Sequence, residues 1–147
     1  MKVVIQRSKE SSVSVSGKLI NKIDSGLTIF VGITHDDTDT DLDYIVKKVV
    51  NLRIFDDENG VMNKSILDVN GKILLISQFT LMANTSKGNR PSYIDALNGS
   101  LAKPIYEKLL AKFNDHVQTL PGVFGSEMLV NINNDGPITI IIDSKNK

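Results

Sequence analysis

The chain has 147 residues, with 17 basic and 17 acidic side chains and a formal net charge of +0. A neutral balance counts against a broad nucleic-acid surface, but not against a small footprint on one RNA end, where few phosphates are neutralised. The 41% hydrophobic and 23% charged content excludes a disordered chain, and the length suits one domain over 1–147. Cysteine is absent, which removes disulfides, thiolate metal sites and a cysteine nucleophile, and fits a cytoplasmic protein. No run approaches the ~20 apolar residues of a membrane span, and the apolar stretch at the N-terminus is too short for a signal peptide.

In chain order, residues 2–7 and 11–16 read as strands, the second with Val13 and Val15 on one face by period-two alternation. Ser16-Gly17 turns into a strand over 18–23, and Gly26 precedes an apolar, central strand over 27–34. The polar run 35–40 is a loop leading to a helix over 40–51, N-capped by Thr38 or Asp39, with Leu42, Ile45, Val46, Val49 and Val50 on its buried stripe. A short strand follows at 52–55, then a turn at 57–60. Asn70-Gly71 predicts a type I′ hairpin joining strands 66–69 and 72–79. Residues 86–92 form a polar loop. A second helix spans about 101–117, with Ser100 as N-cap, Pro104 in the first turn, and Ile105, Leu109, Phe113 and Val117 facing inward. Strands at 128–132 and 138–143 end the pattern. These elements predict an α+β fold: a curved, largely antiparallel sheet or barrel with two main helices packed on one side. A symmetric dimer is a common way to cover the edges of such a sheet.

The chemistry is defined partly by what is missing. His35 and His116 are the only histidines, and neither neighbours a serine or carboxylate in a triad motif. No phosphate loop and no metal-ligand spacing occurs, so neither cofactor nor metal is expected. The acidic run 36–41 lacks the glycine and closing glutamate of a calcium loop and reads as a helix-capping loop. Thr80 follows an apolar run and Gln78. Its plain reading is a strand residue hydrogen-bonded to nearby backbone; its functional reading is a hydroxyl or N–H lining an ester pocket, without a base to make it a nucleophile. Gly136-Pro137 reads as a turn before the last strand, or as a stiff backbone element presenting carbonyls to a ligand. Lys87 and Arg90 flank Gly88-Asn89, as solvated loop cations or as phosphate contacts.

Several motifs occur in one order along the chain: Gln6-Arg7-Ser8, Asn51-Leu52-Arg53-Ile54-Phe55, Gly60-Val61-Met62-Asn63, the run 77–83, Lys87-Gly88-Asn89-Arg90-Pro91-Ser92, Phe124-Gly125 with Met128, and Asn134-Asp135-Gly136-Pro137-Ile138-Thr139. This set resembles the D-aminoacyl-tRNA deacylases, which cleave the ester between a D-amino acid and tRNA. The resemblance implies a homodimer with active sites at the subunit interface, acting on the 3′ end of D-aminoacyl-tRNA. It implies that Gly136 and Pro137 form a Gly–cis-Pro element reaching into the partner's pocket to exclude L-residues, oriented by Arg7. Ser77, Gln78, Phe79 and Thr80 would line that pocket, with Gln78, Phe79 and Thr80 at the ester; Ala83, Ser92, Phe124 and Met128 would frame the terminal adenosine. Substrate-assisted attack is then preferred over a threonine nucleophile, since an aminoacyl ester is already activated. Two other readings stay open: a non-catalytic RNA-end or small-ligand binding module, which would protect the ester rather than turn it over, and a related deacylase for L-aminoacyl-tRNA.

Overall fold

Alternation along the first strand sets up the core. In β1 (Lys2–Val15), Val3, Ile5 and Val13 are fully buried. The structure, a computed structural model, describes residues 1–147. β1 is the spine of the sheet. On one side it pairs antiparallel with β3 (Gly26–Gly32) through its first half and with β2 (Lys18–Ile23) through its second. Residues 2–15 are therefore one strand, not the two expected. The β1–β2 turn has both central residues, Ser16 and Gly17, at positive φ (49° and 77°), the geometry that matches strand twist.

β3 leads into α1 (Asp39–Val50), which matches the expected helix and starts from Thr38. Asp41 accepts from Thr38 N–H at 2.9 Å and from its hydroxyl at 3.0 Å, closing the N-terminus. Asp41 also accepts from the Ser144 hydroxyl at 2.7 Å and from Lys145 Nζ at 3.0 Å, which ties the C-terminal end to this helix. Burial alone would raise the Asp41 carboxyl, but these hydrogen bonds outweigh it and hold the group below the usual carboxylate range.

A small hairpin follows, β4 (Phe55–Asp56) and β5 (Met62–Lys64); β4 meets the strand expected at 52–55 only at Phe55. The hairpin expected at Asn70-Gly71 is absent. Ser65 and Asp68 instead form a reciprocal cap: the Asp68 carboxylate accepts from Ser65 N–H at 2.7 Å and the Ser65 hydroxyl accepts from Asp68 N–H at 3.3 Å. Helix-like turns then run to Gly71, whose N–H donates to Ile66 O at 3.1 Å, and only Asn70 of the pair has positive φ (51°). Released from a hairpin, β6 (Lys72–Ser77) runs parallel to β3. The two strands begin so close together that a Cβ on Gly26 would stand 1.9 Å from Lys72 O, so glycine is required there.

β6 alternates between two cores, with Ile73 and Leu75 in the main one and Leu74 and Ile76 in a smaller one shared with Val13 and Ile23. Burial on both faces is typical of a central parallel strand. After a 3-10 turn (Phe79–Met82), α2 (Gly99–Asn114) crosses back, and β7 (Thr119–Pro121), not expected from the sequence, pairs parallel to β6. The cap of α2 is Asn98, whose Oδ1 accepts from Ser100 N–H at 3.0 Å, rather than Ser100 itself. Leu109 and Phe113 fill the core as expected, joined by Ala102 and Tyr106. Lys108–Asp39 and Lys112–Asp43 ion pairs link the two helices.

The last strand, β8 (Leu129–Asp143), pairs antiparallel with β1 along its other side. It replaces the two strands expected at 128–132 and 138–143. Thr139 faces Gln6 and Asn134 faces Ser8, so residues 135–138 bulge out opposite Arg7 alone. A bulge is where a proline, which has no N–H for the ladder, belongs inside a strand. The sheet order is β2-β1-β3-β6-β7, and Asn21 Nδ2 in β2 reaches Pro121 O in β7 at 2.7 Å, so the outer strands nearly close a barrel. The fold is α+β, curved, with both helices packed over the main core.

Candidate active site

The C-terminal ends of β3 and β6 open into a cavity of about 680 Å³. Its lining includes Val31, Ser77, Gln78, Phe79, Phe124 and Met128. Behind Phe124, outside the lining, the Tyr106 hydroxyl donates to Leu75 O at 2.8 Å, and the Tyr106 ring packs against Phe124 with centroids 5.5 Å apart. Burial pushes the Tyr106 phenol up, so it stays a hydrogen-bond donor.

Gln78 follows β6: its N–H donates to Val31 O at 2.7 Å, and the chain then winds into the 3-10 turn. The first amides of such a turn have no partner within it. The turn's bonds begin with Leu81 N–H to Gln78 O at 3.2 Å, leaving the Phe79 and Thr80 N–H groups without an acceptor in the chain. Gln78 Nε2 donates to Thr80 Oγ1 at 2.5 Å. No histidine or lysine lines the cavity, and Glu127 is its one carboxylate. The site thus offers backbone donors, amides and apolar walls. No three His, Cys, Asp or Glu side chains cluster to hold a metal.

The structure brings together five of the residues singled out from the sequence: Ser77, Gln78, Phe79, Phe124 and Met128. Thr80 stands beside them through Gln78. Ala83 and Ser92 lie outside the lining, at the base of an exposed hairpin closed by Asn84–Ser92 pairing. Arg7, Gly136 and Pro137 form a separate group. The Gly136-Pro137 peptide is cis and both residues are exposed. Arg7 Nη1 donates to Ile54 O at 2.8 Å, and Arg7 Nε lies 3.2 Å from Asp135 Oδ2 without pointing its N–H at it. Gly136 has φ +119°, and a Cβ there would meet Ile138 Cγ1 at 2.9 Å and Arg7 Nη2 at 3.3 Å. The Asn134 amide faces the bulge from inside; oriented to match its neighbours' donors and acceptors, its nitrogen donates to the Ile138 and Arg7 carbonyls at 3.0 and 3.1 Å.

Sequence reasoning missed the wall made by Tyr93, Ala96, Leu97, Asn98 and Gly99. This strap is pinned to the end of β3: Leu97 N–H donates to Ile33 O at 2.9 Å and the Thr34 hydroxyl to Asp95 O at 2.7 Å. The helical cap signal at Asn98 was its only local trace.

A nearly closed barrel with a cavity at its strand ends, polar by backbone rather than by acid–base groups, defines a compact ligand-binding α+β class. The chain belongs to the D-Tyr-tRNA(Tyr) deacylase family, whose model matches residues 4–143. It is 53% identical over 146 residues to a D-aminoacyl-tRNA deacylase of Clostridium novyi (strain NT), covering 99% of this chain and 98% of that protein. It is 53% identical over 151 residues to a protein of the same name from Bacteroides fragilis (strain YCH46), covering 100% and 99%. Among solved structures, one described as "c-Myc DNA Unwinding Element Binding Protein" superposes with a TM-score of 0.93 at 38% identity, over 97% of this chain and 98% of that one. A probable eukaryotic D-amino acid tRNA deacylase shares the fold with a TM-score of 0.80 at 15% identity, over 96% and 97%.

Proposed function

We infer that this protein hydrolyses the ester of D-aminoacyl-tRNA, releasing the free D-amino acid and tRNA, as a chiral proofreader in the cytoplasm. The observation that carries this reading is the turn at the cavity mouth, where the Phe79 and Thr80 N–H groups have no acceptor and no acid–base side chain is paired with them. Such donors suit the oxyanion that forms when water adds to an ester carbonyl. As the tetrahedral species collapses, the bond to the ribose oxygen breaks and that oxygen takes a proton. The vicinal ribose hydroxyl relays that proton from the attacking water to the departing oxygen, since Thr80 Oγ1 is engaged by Gln78 and has no base beside it. Gln78, Phe79 and Thr80 act at the ester, and Phe124 and Met128 hold the terminal adenosine, with Ala83 and Ser92 bordering it from the hairpin base.

The working unit is a homodimer in which each Gly136-Pro137 enters the partner's cavity and sterically rejects an L-residue. Within one chain this element cannot serve its own cavity. It stands at the level of Arg7 and thus of Leu27 on β3, while the cavity opens at Val31, four residues or roughly 13 Å further along. β8 is paired on one side only and exposes Leu129 and Ile141, each 66% accessible, which supports an interface there. The direct test is hydrolysis of D-Tyr-tRNA and L-Tyr-tRNA by catalytic amounts of protein with EDTA present. Loss of the D-ester alone is expected. Loss of neither ester from folded protein refutes the reading.

A further inference from the structure

Outside the cavity mouth the strap turns a second surface outward. Tyr93 and Ile94 are 40% and 78% exposed, unusual for large apolar side chains held rigidly. They are held: His35 Nε2 bonds Ile94 O at 2.9 Å, and Thr34 and Asp95 are joined just beyond. The Phe79 ring meets Tyr93 edge to face, with centroids 5.1 Å apart and planes at 69°, and so buttresses it from the cavity side. Immediately before Tyr93 stands the hairpin closed by Asn84 and Ser92, with mutual backbone bonds of 2.8 and 2.9 Å. It carries Lys87 and Arg90, both exposed and neither in an ion pair.

We propose that Tyr93 and Ile94 form a stacking ledge for the base of the nucleotide preceding the terminal adenosine, with Lys87 and Arg90 on its phosphate. This rests on the deacylase reading and extends it from the terminal nucleoside to the single strand behind it. An aromatic face beside uncompensated cations is the usual means of gripping single-stranded nucleic acid without reading its sequence. The ledge is continuous with the cavity, because Tyr93 lines both. Charge complementarity favours a polyanion here over a second copy of this chain, whose formal net charge is +0. The small size of the footprint also agrees with a chain of net charge +0.

The test compares D-Tyr-tRNA with 3′-(D-tyrosyl)adenosine, which lacks the preceding nucleotide. Tyr93→Ala should lower kcat/KM on the tRNA, through KM, about tenfold more than on the adenosine ester, within the range of base–aromatic stacking, and Ile94→Asp should lower it in the same selective way by removing the apolar part of the ledge. Tyr93→Phe should restore the tRNA value, since the ring and not the hydroxyl is needed. Lys87→Ala with Arg90→Ala should flatten the salt dependence of KM for tRNA, by about 0.7 in the log–log slope for each phosphate no longer neutralised. Equal losses on both substrates, or no loss on either, overturn the ledge while leaving the deacylase reading intact. A change of oligomeric state in Ile94→Asp, seen by sedimentation, also overturns it, because the patch would then be a subunit contact. Wild-type protein that turns over neither substrate defeats both readings at once.

Discussion

Replacing Arg7 with alanine tests whether the Gly136-Pro137 bulge is held from beneath. The side chain is 10% exposed and touches two elements at once. Its Nη1 donates to Ile54 O at 2.8 Å in the interior, a charged hydrogen bond worth roughly 1.5–3 kcal/mol. The contacts to Asp56 at 3.4 Å and Asp135 at 3.2 Å are weaker, because those carboxylates are 52% and 35% accessible and solvent screens them to about 0–1 kcal/mol each. Together these give a loss of roughly 2–4 kcal/mol, read as a lower urea midpoint at unchanged slope. Arg7→Lys should recover only part, since one ammonium cannot span Ile54 and Asp135 as the guanidinium does. In the dimeric reading, D-over-L selectivity should fall with stability, because the bulge loses the group packed 3.3 Å from the Gly136 Cβ direction. A loss under about 0.5 kcal/mol with selectivity intact would show that Arg7 does not brace the bulge.

Asp41 should govern the acid limb of stability. Its carboxyl is held below the usual range in the folded state, so its contribution is full above the unfolded value of ~4 and is lost as pH falls below it. Asp41→Asn should therefore lower Tm at pH 7 and make the drop between about pH 5 and 2 shallower, measured by thermal melts across that range. Thr80→Ala should keep measurable deacylation, since its hydroxyl is bound by Gln78 with no base beside it; loss of a true nucleophile costs on the order of 10⁶ in kcat. A collapse of that size, with binding and fold intact, would establish Thr80 as the nucleophile.

What could be read in advance follows from the range of the forces involved. α1 was legible because its apolar spacing and the Thr38 cap lie within one segment. The turn at Ser16-Gly17 was legible for the same reason. Asn70-Gly71 misled because the Ser65–Asp68 cap, three residues apart, closes a helical turn before a strand can form. The parallel placement of β6 was hidden: an apolar run such as Ile73 to Ile76 looks the same after a hairpin as after a crossover. β7, with three residues, carries too little pattern to show. At the site, the run 77–80 and Gly136-Pro137 stood out as residue types set against strands. The cavity did not, because it exists only where the strap from Tyr93 to Gly99 crosses the end of β3.

In the dimeric reading, that same geometry divides the site into halves. The cavity and its two unpartnered amides lie at one level of the barrel, and the Gly136-Pro137 bulge at another. If two chains complete each other, two defective chains can make a working enzyme. Gly136→Val should be inactive, since φ of +119° and the 2.9 Å approach to Ile138 leave no place for a branched side chain. Ala96→Trp should be inactive because Ala96 lines the cavity and the indole would fill it. Unfolded and refolded together in equal amounts, the chains pair at random and about half the dimers are hybrids. In each hybrid one site carries both defects and the other carries neither, so roughly a quarter of the wild-type sites reappear. The assay is D-Tyr-tRNA hydrolysis before and after mixing. Recovery near that fraction requires a bulge from one chain and a cavity from the other. A mixture as inactive as its parents, with hybrids demonstrated by mass, would mean that each chain builds its site alone.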